Sequence, residues 1–422
     1  MKATGFILAS LASLLSAGAA YATDVKIGVL NDRSGIYADI AGEGSVIAAQ
    51  MAAEDFKATD KGINVSIVSA DHQNKPDVGS NIARQWYDTE NVDVIADVPT
   101  SSVALAVNEI TKEKNKIFLA SGPASSDLTG KACSPNTVHW TYDTWALANG
   151  TGSAMVAQGG DTWFFVTADY AFGHALERDT SAVVEASGGK VLGAVRHPFP
   201  GQDFSSFLLQ AQGSGAKVVG LANAGGDTIN AVKQASEFGI TQGGQSLAAL
   251  LMFINDVHAL SLEVAQGLVL TGAFYWDKND QTREFSARFQ ERNSGQKPSM
   301  IEAGVYASVL HYLKAVEAVG DKDAAKVMAK MKEMPTDDPL FGKGTIRADG
   351  RKLHEMYLFR VKKPDQSKGA WDYFETVATI PADKALRRTA RRVLSSTSQL
   401  ERPCSNSLEF RHRSCSANCC SG

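Results

Sequence analysis

Short runs of apolar and β-branched residues alternate with longer segments of helical periodicity over most of this chain, and this alternation restricts its fold most. Strands are predicted at residues 25–30, 64–69, 92–96, 116–120, 163–167, 217–221, 247–253 and 268–272. A helical pattern follows most of these runs, the first from about Ala41. Strands and helices in alternation form parallel sheets that are covered on both faces. The chain is therefore predicted to have an α/β fold.

The number of strands and two breaks in their rhythm favour two lobes over one small domain. The breaks lie near residues 142–144 and 272–280. The last third holds a helical pattern at 300–319, a proline-containing turn at 334–339, and strands at 356–361 and 372–378. We expect these late strands to complete lobes that begin earlier in the chain.

The N-terminus carries the pattern of a secretory signal. Lys2 precedes an apolar run over residues 5–15, and small residues then lead to Ala20-Tyr21-Ala22. This A-x-A ending predicts cleavage before Thr23. A retained anchor is the alternative, but the run is short for a membrane span and no cysteine follows it to receive a lipid. Residues 1–22 are therefore left out of the fold prediction.

Composition and motifs argue against several functional classes. The 422 residues are 44% hydrophobic and 21% charged, with a formal net charge of −4, which is typical of a globular chain without a nucleic-acid partner. The sequence has no dinucleotide-binding glycine motif after its first strand, no P-loop, no nucleophile elbow and no His-Glu-x-x-His helix. Its eight histidines are scattered. We therefore expect no enzyme activity, no cofactor and no metal.

The loops that leave the first strands are rich in small polar residues. They comprise residues 31–37, 99–102 and 121–126. Ligands of open parallel sheets bind at the carboxyl ends of strands. Hydroxyl groups and free N–H groups near a helix start suit a carboxylate without any lysine or arginine. The alternative is that these serines and threonines only cap helices.

The same loops carry a resemblance to a known family. The pieces that carry it are Ser34-Gly35, Thr100-Ser101-Ser102, Ser121-Gly122-Pro123-Ala124, Asp169-Tyr170-Ala171-Phe172-Gly173 and Gly350-Arg351-Lys352-Leu353-His354, which leads into residues 356–361. In this order they resemble the periplasmic solute-binding proteins of ABC transporters, of the branched-chain amino acid (Leu/Ile/Val) type. The resemblance covers about residues 24–383.

The resemblance implies the type I periplasmic binding protein fold, with two Rossmann-like lobes joined by a hinge of three crossings. Lobe one would comprise residues 24–142 and 273–353, and lobe two residues 143–272 and 354–384. A ligand in the cleft would drive hinge closure, and the permease subunits of an importer would recognise the closed form. The resemblance further implies a monomer in the periplasm; a ligand-sensing component of a receptor is the alternative from another class.

The family's binding roles carry over onto particular residues. Ser101, Ser102 and the backbone from Gly122 to Ala124 would hold a ligand carboxylate, and Tyr170 would close over the ligand. The full set of predicted ligand-binding residues is Tyr37, Ser101, Ser102, Gly122, Pro123, Ala124, Tyr170, Phe172, Asn223, Phe253 and Asn255.

One position departs from the family pattern. Amino-acid binders of this type place an acidic residue after a later strand of lobe two, where it pairs with the ligand ammonium. Alignment puts Asn255 there, although a shift of one residue would put Asp256 there. A buried carboxylate without an ammonium would be an unpaired charge. The departure predicts a carboxylate ligand that lacks an α-amine, with an amino acid as the alternative.

Aromatic residues in or beside the strand-end loops refine the ligand. They are Tyr37, Tyr170, Phe172, Phe253, Tyr275 and Trp276. Flat rings suit a flat ligand, although such rings also pack cores and hinges. Residues 131–136 and 145–150 resemble the aromatic-acid-binding subgroup of the family. A benzoate or a phenylpropanoid is therefore predicted ahead of a branched aliphatic acid, an amide or urea.

The tail over residues 385–422 departs from the family. It is rich in arginine and serine and contains Cys404, Cys415, Cys419 and Cys420. We interpret it as an out-of-frame read-through that is disordered, since its composition is that of a disordered segment. A zinc site in the tail is a weaker alternative because the ligand spacing is irregular. Members of the subgroup often end in a cysteine that could pair with the one at position 133, and Cys404 is the candidate substitute for that partner here.

Overall fold

A computed structural model describes residues 23–388. The predicted signal peptide and the tail from residue 389, with Cys404, lie outside the described residues. In the described part the strands are β1 (Thr23–Asn31), β2 (Ile63–Asp71), β3 (Val94–Asp97), β4 (Ile117–Ala120), β5 (Thr137–His139), β6 (Thr162–Ala168), β7 (Lys190–His197), β8 (Val218–Ala222), β9 (Ser246–Ala249), β10 (Val269–Gly272), β11 (Thr336–Asp338), β12 (Gly342–Ile346), β13 (Lys352–Leu353), β14 (Met356–Val361) and β15 (Phe374–Ile380).

Helices follow most of the strands. They are α1 (Gly42–Phe56), α2 (Pro76–Asp88), α3 (Ser101–Glu113), α4 (Thr144–Leu147), α5 (Ser153–Ala157), α6 (Ala171–Ala186), α7 (Ser205–Gly213), α8 (Gly226–Glu237), α9 (Ile254–Leu260), α10 (Leu262–Ala265), α11 (Asp280–Arg292), α12 (Met300–Val319), α13 (Ala324–Glu333) and α14 (Ala382–Ala385).

Two parallel sheets form the framework. The first has the strand order β2-β1-β3-β4-β5 and the second the order β7-β6-β8-β9, with every pair parallel. Two antiparallel sheets follow, β10-β14-β15 and β11-β12-β13. This arrangement confirms the predicted α/β class. It also brings the carboxyl ends of strands from both parallel sheets into the same region, as the site below shows.

Burial explains which strands the sequence revealed. Strands β3, β4 and β8 are buried along their whole length, so they read as continuous apolar runs. Strand β7 alternates between exposed and half-buried residues at the edge of its sheet, and β5 has three residues; neither was predicted. The strand predicted over 247–253 ends at Ala249, because Leu250–Phe253 turn into the region of the site. The predicted turn at 334–339 contains β11.

Helix α12 anchors one wall of that region. It is apolar on almost every side and buried over most of its length, as a helix packed on all faces must be. The hydroxyl of its N-cap, Ser299, accepts hydrogen bonds from the N–H groups of Ile301 (3.1 Å) and Glu302 (3.2 Å). The same hydroxyl donates to the carbonyl of Ile40 (2.7 Å). The cap thus places Ile301 beside the loop that follows β1.

A junction of two chain segments, residues 139–143 and 351–355, is built on buried charge. Arg351 is fully buried and donates to the carbonyls of Tyr142 (3.0 Å), His139 (3.2 Å) and Thr141 (3.3 Å). Its Nε lies 3.5 Å from Asp143. His354 Nε2 lies 2.8 Å from the Thr141 carbonyl. We call these two segments the charged junction.

Candidate functional site

A narrow cavity lies where loops from both parallel sheets meet. The gaps between its lining atoms, together with the adjoining space open to solvent, amount to about 240 Å³. We call it the strand-end cavity. It is lined by Tyr37, Ile40, Pro99, Gly122, Ala124, Tyr142, Tyr170, Phe172, Ala224, Leu251, Phe253 and Ile301.

The cavity gathers part of the predicted site. Of the predicted residues, Tyr37, Gly122, Ala124, Tyr170, Phe172 and Phe253 line it. Ser101, Ser102, Pro123, Asn223 and Asn255 are not among its lining residues, and neither are Tyr275 and Trp276.

Some lining residues had no signal in the sequence. Ile40 and Ile301 read as ordinary core residues, and Tyr142 follows the unpredicted strand β5. The signals we used were polar groups and aromatic rings at strand ends and the family resemblance, and Ile40 and Ile301 carry none of these. Leu251 could have been predicted from Phe253, since alternate residues of an extended segment face the same side.

Two tyrosines bridge the cavity. The hydroxyl oxygens of Tyr37, after β1, and Tyr170, after β6, lie 2.6 Å apart. The ring of Phe199 stacks on Tyr170 with centroids 4.1 Å apart and contacts Tyr37 at 5.8 Å. Burial raises the pKa of both phenols, so both stay protonated and each can donate one hydrogen bond.

The N-terminus of α3 begins two residues after Pro99, which lines the cavity, and it carries unpaired donors. Among the described residues, no acceptor receives the N–H groups of Ser101 or Ser102. The N-cap Thr100 makes no side-chain capping bond, because its hydroxyl donates to Asn74 instead. The capping interpretation therefore fails for Thr100, and the helix end is left with free N–H groups and a partial positive charge.

The turn before α3 is strained. Asp97 has φ +80° and Val98 has φ +59°, and such values are unusual for a β-branched residue. The conformation is fixed because the Val98 N–H donates to Leu30 (2.9 Å) and Asn31 Nδ2 donates to Asp97 (3.1 Å). Strain of this kind concentrates at functional sites.

Gly122 must be glycine. A Cβ atom there would lie 2.5 Å from Asp97 Oδ1 and 2.7 Å from the Cα of Pro99. Tyr142 donates to the Gly122 carbonyl and His139 Nε2 reaches the Pro123 carbonyl, both at 2.7 Å. These contacts fix the loop. Within residues 23–388 no acceptor receives the N–H of the next residue, Ala124, which lines the cavity.

Ser101 and Asn223 make hydrogen bonds to neighbouring residues in the loops around the cavity. The Ser101 hydroxyl accepts from the N–H of Ser125 (3.2 Å), which braces the loop after β4 against α3. Asn223 donates to His197 (3.3 Å) and accepts from Thr228 (2.8 Å). Both side chains are fully buried. Their contacts support the loops that form the cavity.

No charged side chain lines the cavity, but carboxyl groups lie behind its walls. Burial raises the pKa of Asp97, Asp227 and Asp256 to about 7. It also raises the pKa of Glu302. Burial without a cation favours the protonated, neutral form. The cavity is therefore an aromatic space without a charged lining residue, and its donors are the N–H group of Ala124 and the one hydroxyl proton of the Tyr37–Tyr170 pair that the pair itself does not use.

Asn255 and Asp256, the two candidate positions for the family's acidic residue, make different contacts. Asp256 accepts the N–H of Phe253 (2.8 Å) and so caps the start of α9. The Asn255 side chain is buried, and neither of its amide atoms has a partner among the described residues. The sequence alignment alone does not decide between them, and the ligand-binding roles of all eleven residues stay predictions.

Across residues 23–388 no three His, Cys, Asp or Glu side chains cluster as metal ligands. In the same range, no helix combines the length and the apolar character that crossing a membrane requires.

Comparison with known proteins gives consistent matches over most of the chain. The sequence model of the periplasmic binding protein family matches residues 24–370. A periplasmic binding protein from Burkholderia mallei is 53% identical with a TM-score of 0.84, covering 87% of this chain and 97% of its own. A branched chain amino acid ABC transporter periplasmic ligand-binding protein from Burkholderia xenovorans LB400 is 41% identical with a TM-score of 0.76, covering 86% and 96%.

A more distant structure contains a ligand. It is a solute binding protein of an ABC transporter from R. palustris in complex with benzoate, 21% identical with a TM-score of 0.75, covering 85% of this chain and 97% of its own. At this identity the likeness shows the fold alone.

Proposed function

This chain belongs to the periplasmic binding protein family, and from that premise we propose that it captures a small aromatic carboxylate in the periplasm for import. Proteins of this family are substrate-binding proteins of ABC transporters and not enzymes, and they work with membrane permease subunits. The ligand class, the periplasmic site of action and the permease of this chain are the parts we propose.

The observation that carries the proposal is the chemistry of the strand-end cavity. Its walls hold three tyrosine and two phenylalanine rings, and free N–H groups lie at Ala124 and at the start of α3. A flat ring fits between aromatic walls. A carboxylate suits N–H donors at a helix N-terminus and needs no side-chain cation. An aromatic carboxylate uses both features at once.

An amino acid fits these walls less well. Its ammonium would need a carboxylate within the cavity, yet no acidic residue lines it. Asp256 already accepts a backbone N–H, and burial holds its pKa near 7. An ammonium buried without a partner is strongly unfavourable. The Burkholderia xenovorans relative is nevertheless a branched chain amino acid ABC transporter periplasmic ligand-binding protein, so branched-chain amino acids are the alternative to test.

We propose that capture proceeds by closure of two lobes, residues 24–142 with 273–353 and residues 143–272 with 354–384. The strand-end cavity receives loops from both, and the Tyr37 and Tyr170 hydroxyls meet across it. A ligand that contacts both sides stabilises the closed form, which permease subunits would recognise. The protein would act as a monomer.

The test is a thermal-shift screen of the full-length protein against benzoate, 4-hydroxybenzoate, 3-phenylpropanoate, leucine and benzamide. Benzamide has the shape of benzoate without its charge and is the matched control. A ligand at a hundred times its Kd stabilises by about 2.7 kcal/mol, which corresponds to several degrees in Tm. We expect the aromatic acids to raise Tm and benzamide to raise it much less.

Titration calorimetry of each positive ligand then gives Kd. If leucine raises Tm and the aromatic acids do not, the ligand class is wrong and an acidic group must reach the cavity. If benzamide and benzoate act equally, the N–H groups do not select the carboxylate.

A further inference from the structure

A second apolar cavity lies directly behind Phe253. It is narrow: the gaps between its lining atoms, counted with space open to solvent, amount to about 300 Å³, and its walls include Met252, Ile254, Tyr275, Trp276 and Met300. We call it the rear cavity. Phe253 lines both the rear cavity and the strand-end cavity.

The segment that follows β9 forms the wall between the two cavities. Leu251 and Phe253 line the strand-end cavity, whereas Met252 and Ile254 line the rear one. Helix α12 repeats this division, since Met300 lines the rear cavity and the next residue, Ile301, lines the strand-end cavity. The two spaces are therefore neighbours, and the Phe253 ring is shared between them.

The backbone of Phe253 is fixed by a hydrogen bond, and its buried ring packs between the two cavities. The Phe253 N–H donates to Asp256 (2.8 Å), which holds the main chain at the start of α9. The ring makes an edge contact with Tyr142, with centroids 6.2 Å apart at 67°. Such ring pairs contribute about 0.5–1.5 kcal/mol. Shortening this side chain is therefore the local change that would join the cavities.

The rear cavity offers no free polar group from its two polar aromatics. Trp276 Nε1 donates to the Trp371 carbonyl (2.7 Å), and the Tyr275 hydroxyl approaches the same carbonyl (3.4 Å). What remains toward the space is ring and thioether surface. Such a surface suits hydrocarbon and disfavours charge.

We propose that Phe253 determines ligand length: its ring ends the strand-end cavity, and the rear cavity behind it accepts the apolar end of a longer carboxylate when the ring is absent. This proposal rests on the proposed function. The carboxylate stays at the N–H groups near Ala124, and the distal hydrocarbon passes the position of the ring. The natural ligand is accordingly a short aryl acid.

The experiment measures Kd by calorimetry for benzoate, 3-phenylpropanoate and 4-phenylbutanoate with the wild type, Phe253→Ala and Phe253→Leu. A misfitting methylene in an apolar pocket changes binding by about 10–200-fold. We expect wild-type affinity to fall at least about tenfold from the best short acid to 4-phenylbutanoate. Phe253→Ala should reverse this order, and Phe253→Leu, the milder variant, should reduce the difference.

A variant that fills the rear cavity tests whether the longer ligand binds there. Phe253→Ala combined with Met252→Phe places a ring in the rear cavity and should abolish the gain for 4-phenylbutanoate. Circular dichroism establishes that each variant is folded. The proposal is overturned if the wild type binds benzoate but every folded variant keeps the wild-type order of affinities, or if the refilled variant keeps the gain. If the wild type binds none of these acids, the proposed function itself fails.

Discussion

The strand-end cavity and the charged junction both connect parts of the chain that belong to different sheets, but they use different chemistry. Across the cavity, the contacts are the Tyr37–Tyr170 hydroxyl pair and the stacked ring of Phe199. At the junction, the Arg351 guanidinium is fully buried on backbone carbonyls. Beside it, the buried Lys352 lies over the rings of Phe341 (4.4 Å) and Trp140 (4.8 Å).

This difference matches what each region must do if the lobes open and close. Neutral hydroxyl contacts contribute about 0.5–1.5 kcal/mol net because water replaces them when they separate. A buried cation that loses its partners leaves an uncompensated charge, which destabilises by several kcal/mol. The cavity thus has contacts that can be exchanged, and the junction has contacts that must persist.

The largest expected effect breaks the junction. Arg351→Ala removes donors from three carbonyls and leaves Asp143 without the cation 3.5 Å away. We expect the free energy of unfolding, measured with urea, to fall by about 3–5 kcal/mol.

The matched control is Arg84→Ala, because the Arg84 and Glu113 side chains are 47% and 56% exposed. An exposed pair contributes about 1 kcal/mol or less. If Arg351→Ala lowers the free energy of unfolding no more than this control does, burial does not distinguish the junction from the surface, and the proposed difference between junction and cavity is wrong.

The next largest effect is a change of stability with pH caused by a buried carboxyl group behind the cavity. Burial raises the pKa of Asp97 from 3.8 to about 7, so the folded protein binds a proton that the unfolded chain releases. Stability from this group is fully present below pH 4 and is lost as the pH rises through 7. Asp97→Asn removes this loss. Its stability relative to wild type should rise by about 2–3 kcal/mol between pH 5 and pH 8.

Asp203→Asn is the control for the pH series. Hydrogen bonds from Ser205 lower the pKa of this exposed carboxyl, so it is ionised in both states above pH 5. Its stability difference from wild type should stay constant between pH 5 and pH 8. A constant difference for Asp97→Asn as well would mean that Asp97 carries its charge at neutral pH, as Arg351 does.

The two regions also differ in how far the sequence predicted them. Strands and the order of the loops were readable because fully buried parallel strands give continuous apolar runs, as β3 and β8 do. Six cavity residues followed from strand-end position together with the family resemblance, including Tyr37, Gly122 and Tyr170. The apolar lining residues Ile40 and Ile301 did not, because tertiary packing alone places them in the wall.

The junction was predicted only as a motif. Gly350 to His354 was noticed for its resemblance, yet nothing in the sequence says that Arg351 lies on the carbonyls of Thr141 and Tyr142, about 210 residues earlier. Backbone carbonyls carry no sequence signature, so an arginine that binds them has no readable partner. Strands β5 and β7 were not predicted for a related reason, because short or exposed strands have weak sequence patterns.

The smallest expected effect is the coupling energy between the two tyrosine hydroxyls that meet across the cavity. Tyr37→Phe, Tyr170→Phe and the double variant form a double-mutant cycle for the hydroxyl pair. We expect a coupling energy of about 0.5–1.5 kcal/mol in urea unfolding.

The same cycle with saturating benzoate should give a larger coupling energy than without it. If the proposed closure takes place, open molecules lack the Tyr37–Tyr170 contact and dilute the coupling in the absence of ligand, whereas bound ligand favours the closed form. The control pair is Tyr87 and Thr111, whose hydroxyls lie 3.1 Å apart between α2 and α3. That pair does not cross the cavity, so its coupling should be the same with and without benzoate. Equal behaviour of the two pairs would mean that the cavity contact is as permanent as the junction.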